Sequence, residues 1–234
     1  MCLCDYPMKT LTAKMSRRLK LTVLGIAVVL HCYGSARAAD GKLEATGAYA
    51  DSGASDALKK TLEPKGWRIS LTDGAYCDIW LRAAVPGGKS DAAGAVYTWI
   101  GESTLIGVIT FARSTTDFRG QSIKPGSYTL RYAIHPADGN HLGISPIRDF
   151  LVMLPVATDP NPDAQFKFEE LTRMSTKVTG TTHPGILSLL QPATAPASPK
   201  LETDDYNRMA FSAGIKNQSG AAMPISFVVK GHAE

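Results

Sequence analysis

The stretch WRISLTDGAYCDIWLRAAV, Trp67 to Val85, decides the fold. Trp67, Ile69 and Leu71 alternate with Arg68, Ser70 and Thr72, a period of two that gives a strand one apolar and one polar face. Asp73-Gly74 follows, a dipeptide that closes a tight hairpin because the turn needs positive φ. Cys77, Ile79 and Leu81 carry the apolar face along the return strand. Cys77 is therefore expected in the core, as a packing thiol and not a nucleophile. Trp80 falls on the opposite face beside Asp78 and Arg82. Either another segment covers it, or Trp80 and Arg82 form an exposed binding surface.

Strand signals continue downstream. TLIGVITFA (Thr104–Ala112) is apolar on both faces and β-rich, as a central strand is. In KPGSYTLRYAIHP a Pro-Gly turn leads into a strand. Tyr128, Leu130, Tyr132 and Ile134 share one face of it, and Ser127, Thr129, Arg131 and His135 the other. DFLVMLPV (Asp149–Val156) reads as a second buried strand, ended by proline. The period then changes: Phe168, Leu171, Met174 and Val178 recur at helical spacing, with Asp163 as the expected N-cap and Gly180 as the stop. THPGILSLL reads as a further short helical turn, QPATAPASPK (191–200) as an extended Pro/Ala loop, and MAFSAGI and MPISFVV as closing strands. This order predicts a mainly β protein: an antiparallel β-sandwich, immunoglobulin-like or transthyretin-like, with one helical insertion at 163–190. Residues 67–234 form its single domain. Residues 39–66, polar and rich in Gly, Ala and Ser apart from a short helical stretch near Ala57–Leu62, are expected to be poorly ordered.

The first 38 residues read as an export signal. Lys14, Arg17, Arg18 and Lys20 precede an apolar run, LTVLGIAVVL, that is too short to span a bilayer, and ARA at 36–38 presents small residues for cleavage. Residues 1–38 hold six of the 25 Lys/Arg and one of the 21 Asp/Glu, so the formal charge of +4 becomes 19 basic against 20 acidic, net −1. Nucleic acid is thereby disfavoured as a partner, as is membrane insertion after cleavage. Cys2, Cys4 and Cys32 leave with the signal. Cys77 alone remains, and the fold must rest on its apolar core. Periplasmic or secreted localisation is expected.

Two stretches carry possible metal chemistry. In HPADGNHLG (135–143), His135, Asp138 and His141, joined by Asp149 from the next strand, offer imidazole and carboxylate ligands for a divalent zinc or iron ion. The same residues read more simply as a turn, since Asp-Gly and Gly-Asn have their own backbone reason to be there. In DPNPDAQFKFEE, Asp159, Asn161, Asp163 and Glu170 occupy positions 1, 3, 5 and 12 of a calcium loop. However, Ala164 stands where the sharp turn needs glycine, and prolines fill positions 2 and 4. No cofactor is expected apart from these alternatives. There is no GxSxG elbow and no histidine near Cys77 in sequence.

FRGQSIKPGSYTLRYAIHPADGNHLGISPIRDFLVMLPV (118–156), together with MSTKVTGTTHPGILSL and PISFVVKGHAE, resembles a family of uncharacterised secreted bacterial proteins. That family shares a PGxYTLRY strand, a PxDGNHxG loop and an RDF-led strand, and the resemblance spans most of residues 67–234. It implies export and no particular activity. KPGSYTLRY is also similar to turn–strand units of transthyretin-like and carboxypeptidase-regulatory-like sandwiches, which implies fold alone. The expected function is thus a non-catalytic binding or structural module of the cell envelope, its partner a protein, a peptide or a glycan. The alternative is a metal-dependent hydrolase or oxygenase using His135, Asp138, His141 and Asp149.

Overall fold

Alternation along Trp67–Leu81 produces the expected hairpin. Strand β2 (Gly66–Leu71) pairs antiparallel with β3 (Gly74–Leu81), and Gly74 has a φ of +111°. The computed structural model describes residues 41–72, 74–136, 145–191 and 194–232, all within one contact unit, Ser35–Glu234. Around this hairpin grows a seven-stranded antiparallel sheet. β1 (Gly41–Thr46) flanks β2, and β4 (Leu105–Phe111) follows β3. Beyond a two-stranded excursion, β5 (Thr115–Thr116) and β6 (Ser122–Ile123), come β7 (Gly126–Ile134), β8 (Asp149–Pro155) and β9 (Ile186–Ser188). The sheet order is β1-β2-β3-β4-β7-β8-β9, a meander in which chain neighbours are sheet neighbours. A three-stranded sheet, β10 (Lys200–Thr203), β11 (Met209–Lys216) and β12 (Ala222–Lys230), packs against it. Ile69, Ile79, Ile109 and Leu130 from the large sheet meet Phe211, Ile215, Ile225 and Phe227 from the small one in a single core. The molecule is an antiparallel β-sandwich.

Three covers lie on the outer face of the large sheet, which explains why β4 and β8 are apolar on both sides. Helix α1 (Asp56–Thr61) and the chain on either side of it bury Tyr49, Leu58 and Leu62 on Trp80, Leu105 and Val108. Helix α2 (Phe168–Thr179) packs Leu171, Phe168 and Met174 on Ala133, Phe150, Val152 and Ile186. Between them runs the irregular segment 156–167. The expectation that residues 39–66 are poorly ordered is therefore corrected for 41–66, which supply an edge strand and a capped helix. Ser55 Oγ accepts from Leu58 N at 3.0 Å and also donates to the Pro160 carbonyl, joining α1 to the central cover. The polar composition of residues 39–66 conceals that a few apolar side chains, spaced to meet the outer face of β3 and β4, are enough to hold it.

Two local expectations fail for one reason: tertiary hydrogen bonds override local pattern. Helix α2 starts at Phe168 after Lys167, not at an Asp163 cap. Arg131 holds the Ala164 carbonyl, and Phe166 N donates to Ser103 Oγ at 2.9 Å, so the chain stays non-helical up to residue 167. THPGILSLL is not helical either. Ser175 Oγ donates to the carbonyls of Met153 and Gly185 and accepts from Gly185 N, which delivers Ile186–Ser188 to the open edge of β8. Gly180 does end the helix, in the left-handed region at φ 70°. Strand β10 begins at Lys200, inside the segment read as a loop.

Candidate functional site

Strand parity decides the histidine–carboxylate candidate. Ile134 pairs with Asp149, so β7 and β8 run side by side into the 135–148 connection. Successive side chains on a strand point to opposite faces. His135 lies on the outer face, buried and stacked on Phe150, with ring centroids 4.0 Å apart at 18°. Asp149 lies on the inner face. Its carboxylate accepts from Val96 N (3.0 Å), Tyr97 N (2.9 Å) and Tyr132 Oη (2.6 Å), which fastens the long 86–104 loop over one end of the sandwich. The sheet itself separates His135 from Asp149, and the four-residue metal set is corrected on that point. Asp138 and His141 lie outside the described residues. Among the described residues no group of three or more His, Cys, Asp or Glu side chains converges as a metal site. Tyr97 continues the network, its hydroxyl donating to the Leu190 carbonyl at 2.8 Å and accepting from Ser226 N at 3.0 Å, so it links the loop to the small sheet. Burial, with the Asp149 carboxylate beside each ring, pushes the Tyr132 and Tyr97 hydroxyls well above the usual phenol range.

The calcium-like segment does wrap a cation, but one that the chain supplies itself. Arg131, fully buried on the outer face of β7, donates to both oxygens of Asp159 at 2.7 Å. Its remaining N–H groups reach the carbonyls of Ser103 (2.6 Å), Ala164 (2.8 Å) and Asn161 (2.8 Å), and Phe166 covers the guanidinium at 4.9 Å. All five donors are thus satisfied. Thr129 Oγ1 adds a further bond to Asp159 Oδ2 at 2.6 Å. Asn161 Oδ1 accepts from Asp163 N, Asp163 pairs with Arg82, and Glu170 sits in the first turn of α2. The acidic and carbonyl-rich spacing that resembles a calcium loop is here the spacing of a guanidinium clamp.

Trp80 and Arg82 are corrected as an exposed surface. Trp80 is buried against Tyr49, with centroids 4.9 Å apart, and Nε1 donates to the Gly47 carbonyl at 2.8 Å. Gly66 makes room for it, since a Cβ there would fall 2.3 Å from Trp80 Nε1. Arg82 donates to Ala84 O, Pro162 O and Asp163 Oδ1, forming a second clamp on the 156–167 cover. Cys77 is buried in the inter-sheet core, as its parity predicted, and burial pushes its thiol far above the ordinary range. It has neither the access nor the ionisation of a nucleophile.

Tyr206 is exposed, with the Arg208 guanidinium over its ring, whereas the half-buried Trp67 lines a groove. Three strands do not cover the inner face of seven, and near the start of β2 the sandwich leaves a groove of about 180 Å³. Its lining includes Trp67, Leu81 and Ile215 as the apolar part, with Pro199, and Glu63, Lys65 and Arg82 as the polar part. Trp67 is half-buried, packed on the core along one side. The Lys65 ammonium sits 4.6 Å from the centroid of its ring. Glu63 lies 4.0 Å from the Lys216 ammonium. Parity alone assigns Trp67 to the core. The available signal was its place at the first inward position of its strand, with a lysine two residues before.

Comparisons with protein-family models, with curated proteins and with solved structures find no match to this chain.

Proposed function

We propose that the protein is an exported, non-catalytic binding module of the cell envelope, and that it receives one ring-sized group of a glycan on Trp67. The observation that carries this reading is the groove, which the half-buried indole lines together with two polar side chains, Glu63 and Lys65. Such an arrangement pairs an apolar platform with a few polar groups that fix orientation. At about 180 Å³ the groove is smaller than the roughly 300–1,000 Å³ of sites that enclose whole small molecules. It therefore suits a single sugar ring of a longer chain. The buried ionisable groups offer a ligand nothing, because Arg131, Asp159 and Asp149 already hold one another or the backbone. Export is supported by the basic and apolar character of residues 14–30 and by the ARA site.

Intrinsic fluorescence tests the reading. Soluble glycan fragments released from bacterial cell wall by a muramidase should perturb the emission of the wild-type protein saturably. Trp67→Ala should weaken binding by about tenfold, matching the roughly 1.5 kcal/mol of an aromatic contact. Its thermal midpoint should fall by no more than several degrees, because the ring is only half-buried against the core, and binding is compared well below the variant's transition. A Trp67→Ala protein that binds as tightly as the wild type overturns the assignment.

A further inference from the structure

Resting on that reading of the groove, we infer that it selects a carboxylate-bearing pyranose, with Lys65 as the counter-ion. Of the charged groups at the groove, Arg82 is turned to Asp163 and to two carbonyls, and Glu63 has Lys216 nearby. Lys65 has no carboxylate within ion-pair distance among the described residues, and its ammonium rests on the indole. A sugar that stacks on Trp67 must move that ammonium off the ring. A neutral sugar breaks the cation–π contact and returns nothing to the lysine. A sugar carrying a carboxylate replaces that contact with an ion pair, so the displacement itself favours the acid.

The main chain excludes strand addition by an extended peptide. Strand addition needs an unpaired edge. Trp67, Leu81 and Ile215 belong to β2, β3 and β11, each of which has a strand on both sides. The small volume of the groove then favours a compact group entering side-on, and the flat indole suits a pyranose face. Two sources carry this chemistry: a uronic acid, with its carboxylate on the ring, and a muramic-type sugar, with its carboxylate on an ether arm.

Calorimetric titration of the purified protein with matched acid and neutral probes tests the inference and separates the sources. Digalacturonate is compared with its dimethyl ester, and N-acetylglucosaminyl-N-acetylmuramic acid with chitobiose. The expected result is that one acid binds about fivefold tighter than its neutral counterpart in low salt, the size of a solvent-exposed ion pair. The preference should shrink in 0.5 M salt, where the screening length falls to a few ångströms. Lys65→Gln should abolish the preference and tighten the neutral probe's binding about two- to fivefold, since no cation–π contact is then broken. Equal binding of acid and neutral probes overturns the inference and leaves the glycan reading standing. An acid preference that survives Lys65→Gln overturns the role of Lys65. If no probe binds in a manner sensitive to Trp67→Ala, the inference and the glycan reading fall together.

Discussion

Arg131→Met should destabilise the protein by about 3–5 kcal/mol, the cost of leaving one member of a buried ion pair without its partner. The substitution strips Asp159 of two charge-assisted bonds and leaves the carbonyls of Ser103, Asn161 and Ala164 without their donor. Asp159→Leu alone should cost a similar amount, since the guanidinium then keeps its three carbonyls but loses its counter-charge. In the double variant the two losses should not add. With both charges gone the desolvation penalty disappears, and the double variant should cost no more than Arg131→Met alone, in which the same three carbonyls already lack their donor. Chemical denaturation of the four proteins gives the coupling energy directly. Additive losses would mean that Arg131 and Asp159 act independently, and that the clamp described here is not a unit.

The second large effect lies on the other side of the sheet. Asp149→Ala should cost about 3–5 kcal/mol, because two backbone amides and the Tyr132 hydroxyl lose their acceptor inside the core. Asp149→Asn keeps one acceptor oxygen in place, and its loss should be about half as large. Amide exchange separates a local from a global failure. The account places the first damage in the 86–104 loop, so protection at Val96 and Tyr97 should fall before that of β4 and β7. Were Asp149 a metal ligand, metal addition would stabilise the wild type and not the alanine variant. In the geometry seen here, metal addition leaves the melting curves of both unchanged.

The sandwich was legible because its decisive strands keep period two and their turns carry Asp-Gly or Pro-Gly. Cys77, Tyr128, Leu130, Tyr132 and Ile134 face the core as their spacing requires. What sits on the outer face was not legible. Arg131 reads as a solvent-facing residue of an alternating strand until Asp159, 28 positions later in the chain, is seen folded over it. Trp80 reads as a platform until Tyr49 and Gly47 are seen to cover it. Each of these depends on a pairing between distant segments, and periodicity reports only the neighbourhood along the chain. The same limit underlies the calcium-like reading: the spacing of the acids is visible along the chain, and the cation they serve is not. Trp67 shows the converse. Its parity is inward and correctly read, yet its exposure depends on how far the small sheet extends over the large one, which local sequence does not encode.

Backbone amide mapping by NMR is the most direct test of the claim that the groove is the binding site while His135 and Asp149 serve the fold. The protein is titrated with muramidase-released glycan fragments, and the shifted amides are located on the structure. The account predicts a single cluster at Lys65, Trp67, Leu81 and Ile215 that vanishes in Trp67→Ala. A cluster centred on His135 and Arg148 that is indifferent to Trp67→Ala would contradict it.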